Sequence, residues 1–145
     1  MLDLQGETVT GVTDYLRDVH AFGRPATTVR SYSIDLLRWF RFLWFVEIPW
    51  EQATRTEARG FCLWLQVTDR PQHPHWRHPD ELPTRSVARL AAPNALTGKP
   101  APGTKYSPRT VAHAESVLRS FYDFHLANGT GPMVNPFSLS RSRKP

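Results

Sequence analysis

Cysteine occurs once, at Cys62, so no internal disulfide can form and packing must hold the fold. A lone thiol fits a reducing compartment such as the cytoplasm. The opening Met1-Leu2-Asp3-Leu4-Gln5 lacks the basic-then-apolar order of a secretory signal, so none is expected. Long hydrophobic runs are also missing. The longest candidate, Leu36 to Ile48, is broken by Arg38, Arg41 and Glu47, which argues against a membrane span. There is no Gly-rich phosphate loop and no zinc-type Cys/His spacing. No cofactor, metal or small-molecule substrate is therefore expected. The segment His73-Pro74-His75-Trp76-Arg77-His78 holds three histidines, but Pro74 and Pro79 interrupt any helix that could align them. It reads as an exposed loop rather than a rigid ligand frame.

What is present points to one domain with a substantial interior. The chain has 145 residues, 40% of them hydrophobic and 12% aromatic, including five Trp and eight Phe. Charge is divided unevenly. Residues 1–81 carry nine Lys/Arg against eleven Asp/Glu, a net of −2, whereas residues 82–145 carry nine against two, a net of +7. A basic half attracts polyanions such as nucleic acid or an anionic membrane, and it is also compatible with an ordinary solvated surface.

Apolar periodicity predicts four helices and no strand. The first runs from about Thr10 to Phe22, with Val12, Tyr15, Leu16, Val19 and Phe22 on one face and Gly23 as its stop. The second is expected from Pro25, as a first-turn proline, to about Phe45. Its apolar face holds Val29, Tyr32, Ser33, Leu36, Trp39, Phe40 and Leu43. The third opens on the capping-box pattern Thr54-Arg55-Thr56-Glu57, buries Ala58, Phe61, Cys62 and Leu65, and stops near Gln66. The fourth has Ser107 as N-cap, Pro108 in the first turn and Gly129 as stop, with Val111, Ala114, Val117, Leu118, Phe121 and Tyr122 inward. Eight of the 13 prolines fall between Pro71 and Pro108, so about 67–106 reads as a long irregular insertion or functional lid. The stretch from Gly131 reads as a linker, ending in the basic run Arg141-Ser142-Arg143-Lys144.

Two helix faces match in chemistry. The second helix gathers Thr27, Arg30, Ser31, Arg38 and Arg41 within roughly 100° of arc, with Ile34 interrupting them. The fourth gathers Arg109, His113, Ser116 and Ser120, with Lys105 just before it. Hydroxyls let a backbone approach and bond phosphate, while Arg neutralises phosphate or bonds guanine. Helix starts add N–H groups for a phosphate. The same pattern describes a solvated helix face, and both meanings stay open on pattern alone. Trp39, Trp44, Trp50 and Trp64 are expected in the core.

Two stretches resemble a known family. Thr28-Val29-Arg30-Ser31-Tyr32, followed by Leu36, Phe40 and Leu43, resembles the second helix of the core-binding domain of tyrosine recombinases, the phage-type integrases. Tyr106-Ser107-Pro108-Arg109-Thr110-Val111, then Leu118-Arg119-Ser120-Phe121-Tyr122 and Asn135-Pro136-Phe137, resembles the last helix and exit of that domain. Thr97-Gly98-Lys99-Pro100 and Gly131-Pro132-Met133-Val134-Asn135-Pro136 are similar to actinobacterial integrases in particular. The 15 Arg against 3 Lys agree with a GC-rich genome.

The resemblance implies an all-α, SAM-like four-helix bundle with a long Pro-rich loop between the third and fourth helices. Residues 8–137 would form the DNA-binding domain, and 138–145 a basic linker tail. In this family the second and fourth helices face double-stranded DNA. Carried over by position, Arg24, Thr27, Thr28, Arg30, Ser31, Lys105, Arg109, Thr110, His113 and Ser116 would meet it, with other recombinase protomers as further partners. The family's catalytic domain uses an Arg, a Lys, a His-x-x-Arg pair, a further His or Trp and a nucleophilic Tyr to attack a phosphodiester. No His-x-x-Arg occurs here and the last tyrosine, Tyr122, lies inside the predicted fourth helix. The chain is therefore expected to be a truncated or stand-alone binding domain that does not cut DNA by itself. The alternative is a helical interaction module docking on an integrase or accessory factor, which an exposed apolar patch around Trp76 or Phe137 would favour.

Overall fold

The computed structural model describes residues 3, 5, 6, 8–70 and 105–139. Among these the protein is an all-α bundle of four α-helices: α1 (Thr10–Ala21), α2 (Ala26–Phe45), α3 (Arg55–Val67) and α4 (Pro108–Asn128). A single 3-10 turn, Trp50–Gln52, joins α2 to α3. The insertion of about 67–106, the histidine segment 73–78 and the basic end 140–145 lie largely or wholly outside the described residues. At the base of the insertion an isolated antiparallel bridge pairs Asp69 with Lys105.

The helix boundaries follow local chemistry. At α3 the Thr54 hydroxyl accepts from Thr56 N at 3.2 Å, and the Glu57 carboxylate accepts from Thr54 N at 2.7 Å, completing the capping box. That bonding holds the Glu57 carboxyl below its ordinary range. At α4 the Ser107 hydroxyl accepts from Thr110 N at 3.2 Å, Pro108 takes the first position, and Gly129 ends the helix at φ 65°. Pro25 differs from expectation. With ψ at 153° it is the extended cap residue before α2 and not part of its first turn. The ring pre-sets φ, while ψ carries the chain out of the preceding turn.

α2 ends in a six-residue hydrogen-bonded closure. Glu47 N donates to Trp44 O and Ile48 N donates to Leu43 O, and Glu47 sits at φ 57°. Glycine usually fills that left-handed position, because a Cβ there crowds the backbone.

α4 packs against all three other helices, and its contact with α2 is the most extensive. Trp39 is fully buried between them, its ring edge-on to Phe61 at 5.2 Å and to Phe137 at 5.0 Å. Its indole N–H donates to the Tyr122 hydroxyl at 3.0 Å, which donates onward to Trp50 O at 3.0 Å. Burial pushes the Tyr122 phenol well above the ordinary tyrosine range. His125, also buried, donates from Nε2 to Gly11 O at 3.0 Å, and its Nδ1 pairs with the Thr130 hydroxyl at 2.7 Å.

Two expectations about the apolar set are corrected. Phe22 is 80% exposed, because α1 ends one residue earlier and Phe22 caps it outside the bundle. The stretch after Gly129 is not a free linker. Asn135 Nδ2 donates to Arg119 O at 2.9 Å and to Asp123 Oδ1 at 2.7 Å, and Phe137 is buried against Trp39. Phe137 is thus core and forms no exposed patch, and Trp76 lies outside the described residues. No helix among the described residues is long and apolar enough to cross a membrane.

Candidate nucleic-acid interface

Where the N-terminal half of α2 meets that of α4, a buried carboxylate organises the surface. Asp35 is only 2% exposed, yet it lies one residue from the core residue Leu36. Its Oδ1 accepts from Arg38 Nη1 at 2.7 Å, and its Oδ2 pairs with His113 Nδ1 at 2.8 Å. A carboxylate this buried requires such partners, since desolvation disfavours its charge. Arg38 follows at i+3 on the same helix, whereas His113 comes from α4. The Arg38 guanidinium also lies over the Tyr106 ring, 4.8 Å from its centroid. The His113 ring stands edge-on to Tyr32 at 6.0 Å.

The result is a shallow cleft of about 370 Å³ lined by Ser31, Ile34, Asp35, Arg38, Arg109, Thr110 and His113. Asp35 is the one carboxylate among its described lining residues, and both oxygens are already engaged. It offsets the charge of Arg38 and leaves Arg109 as uncompensated positive charge. His113 spends Nδ1 on Asp35 and retains Nε2 for an outside group. Arg38 has guanidinium N–H groups beyond the one on Asp35. The cleft therefore offers several donors and a net positive charge to an anion.

Of the residues singled out from sequence, Ser31, Arg109, Thr110 and His113 converge at this cleft. Arg24, Thr27 and Arg30 are exposed near the start of α2. Thr27, Ser31, Ile34, Arg38 and Arg41 recur at spacings of three and four, so they form one stripe along α2. Thr28 is half-buried and falls about 100° away from Thr27, toward the Val29 and Tyr32 side. Ser116 is exposed, but its hydroxyl donates to Ala112 O of its own helix at 3.0 Å. Lys105 is engaged within the fold. Its ammonium donates to Val67 O at 2.6 Å and pairs with Asp69 at 2.8 Å, closing the base of the insertion. Asp35 does not stand out in the sequence. The available signal was an acid at i−3 from Arg38 beside the apolar stripe, a position that is costly unless paired.

Other reactive-looking groups have quiet environments. The Cys62 thiol donates to Glu115 Oε1 at 3.0 Å, and burial together with that carboxylate pushes it up to about 12. It therefore stays protonated near neutrality and is a poor nucleophile. Among the described residues no group of three or more His, Cys, Asp or Glu could hold a metal ion. Searches of family models, curated proteins and solved structures gave no significant match to the chain.

Proposed function

We propose that this chain binds double-stranded DNA through the paired faces of α2 and α4, as a core-binding domain of the tyrosine-recombinase type. The observation that carries the proposal is the convergence of Ser31, Arg38, Arg109, Thr110 and His113 on one cleft. These residues come from the two helices that the family resemblance implies should face DNA. Arg109 lies in the first turn of α4, where the helix dipole adds to its attraction for a phosphate. Ser31 and Thr110 supply short hydroxyls that allow close approach. Arg24 and Arg30 extend the positive surface beyond the cleft, and the Asp35-held His113 adds a directed ring nitrogen.

Most of the affinity comes from phosphates on this reading, and base recognition is secondary. The chain contributes binding and orientation, and strand cleavage lies with catalytic residues it does not contain. A cytoplasmic setting in a bacterium suits both the DNA partner and the reduced Cys62. The test is duplex binding as a function of salt. Three to five phosphate contacts give a log–log slope of about −3 to −5. Affinity that is flat between low and physiological salt contradicts the proposal, and so does nicking of supercoiled plasmid by the purified chain.

A further inference from the structure

A second concavity lies at the other end of α2. It is an open groove of about 770 Å³, where the start of α1, the end of α2, the Trp50 turn and the end of α4 meet. Its walls include Phe40, Trp44 and Trp50, and its lining carries Asp14, Glu47 and Glu51. Among its described lining residues there is no Lys or Arg, and none of them is shared with the Asp35 cleft. The volume falls within the range of sites that hold a ligand or several side chains.

The Trp50 wall is fixed before any ligand arrives. Trp50 is pinned through its carbonyl, which accepts from Tyr122. Its ring packs so closely that a Cβ on Gly11 would come within 2.9 Å of it, and one on Gly131 within 3.2 Å. His125 stands 4.7 Å from the Trp50 ring and ties the floor to α1 through Gly11 O. A rigid aromatic wall loses little entropy when it is covered.

We propose that this groove is a docking site for a basic segment of a partner protein, with an arginine or lysine side chain laid against the Trp44 and Trp50 rings. Charge complementarity selects this occupant. The aromatic faces attract a cation, and Asp14, Glu47 and Glu51 supply the opposing charge, with no cationic side chain among the described lining residues to compete. An acidic segment or a nucleic-acid backbone is repelled by the same carboxylates. The positive cleft and the acidic groove thus divide the bundle into a DNA end and a peptide end.

The test uses the full chain labelled with ¹⁵N and an eight-residue peptide of alternating Arg and Leu, with a Glu/Leu peptide as the comparison. The proposal expects the Trp44 and Trp50 indole N–H signals to shift with the basic peptide only. Glu47→Gln with Glu51→Gln, both at exposed positions, is expected to weaken that binding about tenfold. Equal binding of the two peptides, equal binding by the double variant, or shifts confined to other surfaces overturns the proposal. The double variant is also expected to retain its affinity for duplex DNA. Loss of DNA binding overturns the separation of the two sites, and loss of DNA binding by cleft variants alone leaves the peptide site standing.

Discussion

Asp35 on α2 and His113 on α4 meet at 2.8 Å although 78 residues separate them in sequence. The pair joins the two helices at the centre of the candidate DNA surface and fixes the tilt of the His113 ring. Asp35 also holds Arg38, so one carboxylate positions two cationic or donor groups.

Asp35→Asn tests that organisation. It removes the charge between Arg38 and His113 while keeping the volume. Both partners retain some solvent access, so the expected loss is about 1–3 kcal/mol in urea unfolding. Unchanged stability would mean that the two contacts contribute nothing net.

Two buried tyrosines are expected to differ in their response to the same substitution. Tyr122→Phe strands the Trp39 indole N–H and the Trp50 carbonyl, and is expected to cost about 1–3 kcal/mol. The Tyr15 hydroxyl is buried, with Ser120 near enough to influence it but not in bonding geometry. Burial pushes the Tyr15 phenol up to about 12. Tyr15→Phe removes a stranded polar group and is expected to be neutral or to stabilise by up to about 1 kcal/mol. Thermal or urea unfolding of the two variants checks the contrast.

Backbone geometry gives a second opposed pair. Glu47→Gly relieves the left-handed conformation at φ 57°, and is expected to stabilise by about 0.5–1 kcal/mol, less than the full strain because glycine loosens the unfolded chain. Gly131→Ala places a Cβ within 2.9 Å of the His125 Cβ, and is expected to destabilise by about 1–3 kcal/mol. Urea midpoints at constant slope check both signs.

His125 sets a pH dependence. Burial holds its imidazole below the ordinary histidine range. The unfolded chain therefore takes up that proton first as pH falls, and folded stability declines with it. The contribution is complete above the unfolded value of about 6.5 and is lost as pH drops through it toward the depressed folded value. Urea midpoints between roughly pH 7.5 and 5 should fall, and His125→Gln should flatten that part of the curve. A midpoint that rises over this window contradicts the assignment.

The helices were legible because their signals are local. Thr54 with Glu57, Ser107 with Pro108, and Gly129 each act within one turn of their helix. The buried face of α4 followed from periodicity alone, from Val111 to Tyr122. Phe22 misled because periodicity extends past the turn where the chain leaves the bundle. The Gly131–Phe137 return was hidden because glycine and proline announce a loop without saying what the loop packs on. Long-range partners were hidden for the same reason. Nothing near Asp35 names His113, and nothing near Trp39 names Tyr122. The pairing of Lys105 with Asp69 was hidden as well, because the residues between them fall in the insertion.

The most direct measurement of the central proposal is duplex affinity for Arg30→Ala combined with Arg109→Ala, taken alongside the thermal midpoint. Both side chains are exposed, so the fold should not depend on them. The expected result is affinity reduced by about tenfold or more, a salt slope shallower by about two, and an unchanged midpoint. Unchanged affinity and slope, with or without a lowered midpoint, would contradict it and return these arginines to an ordinary solvated surface.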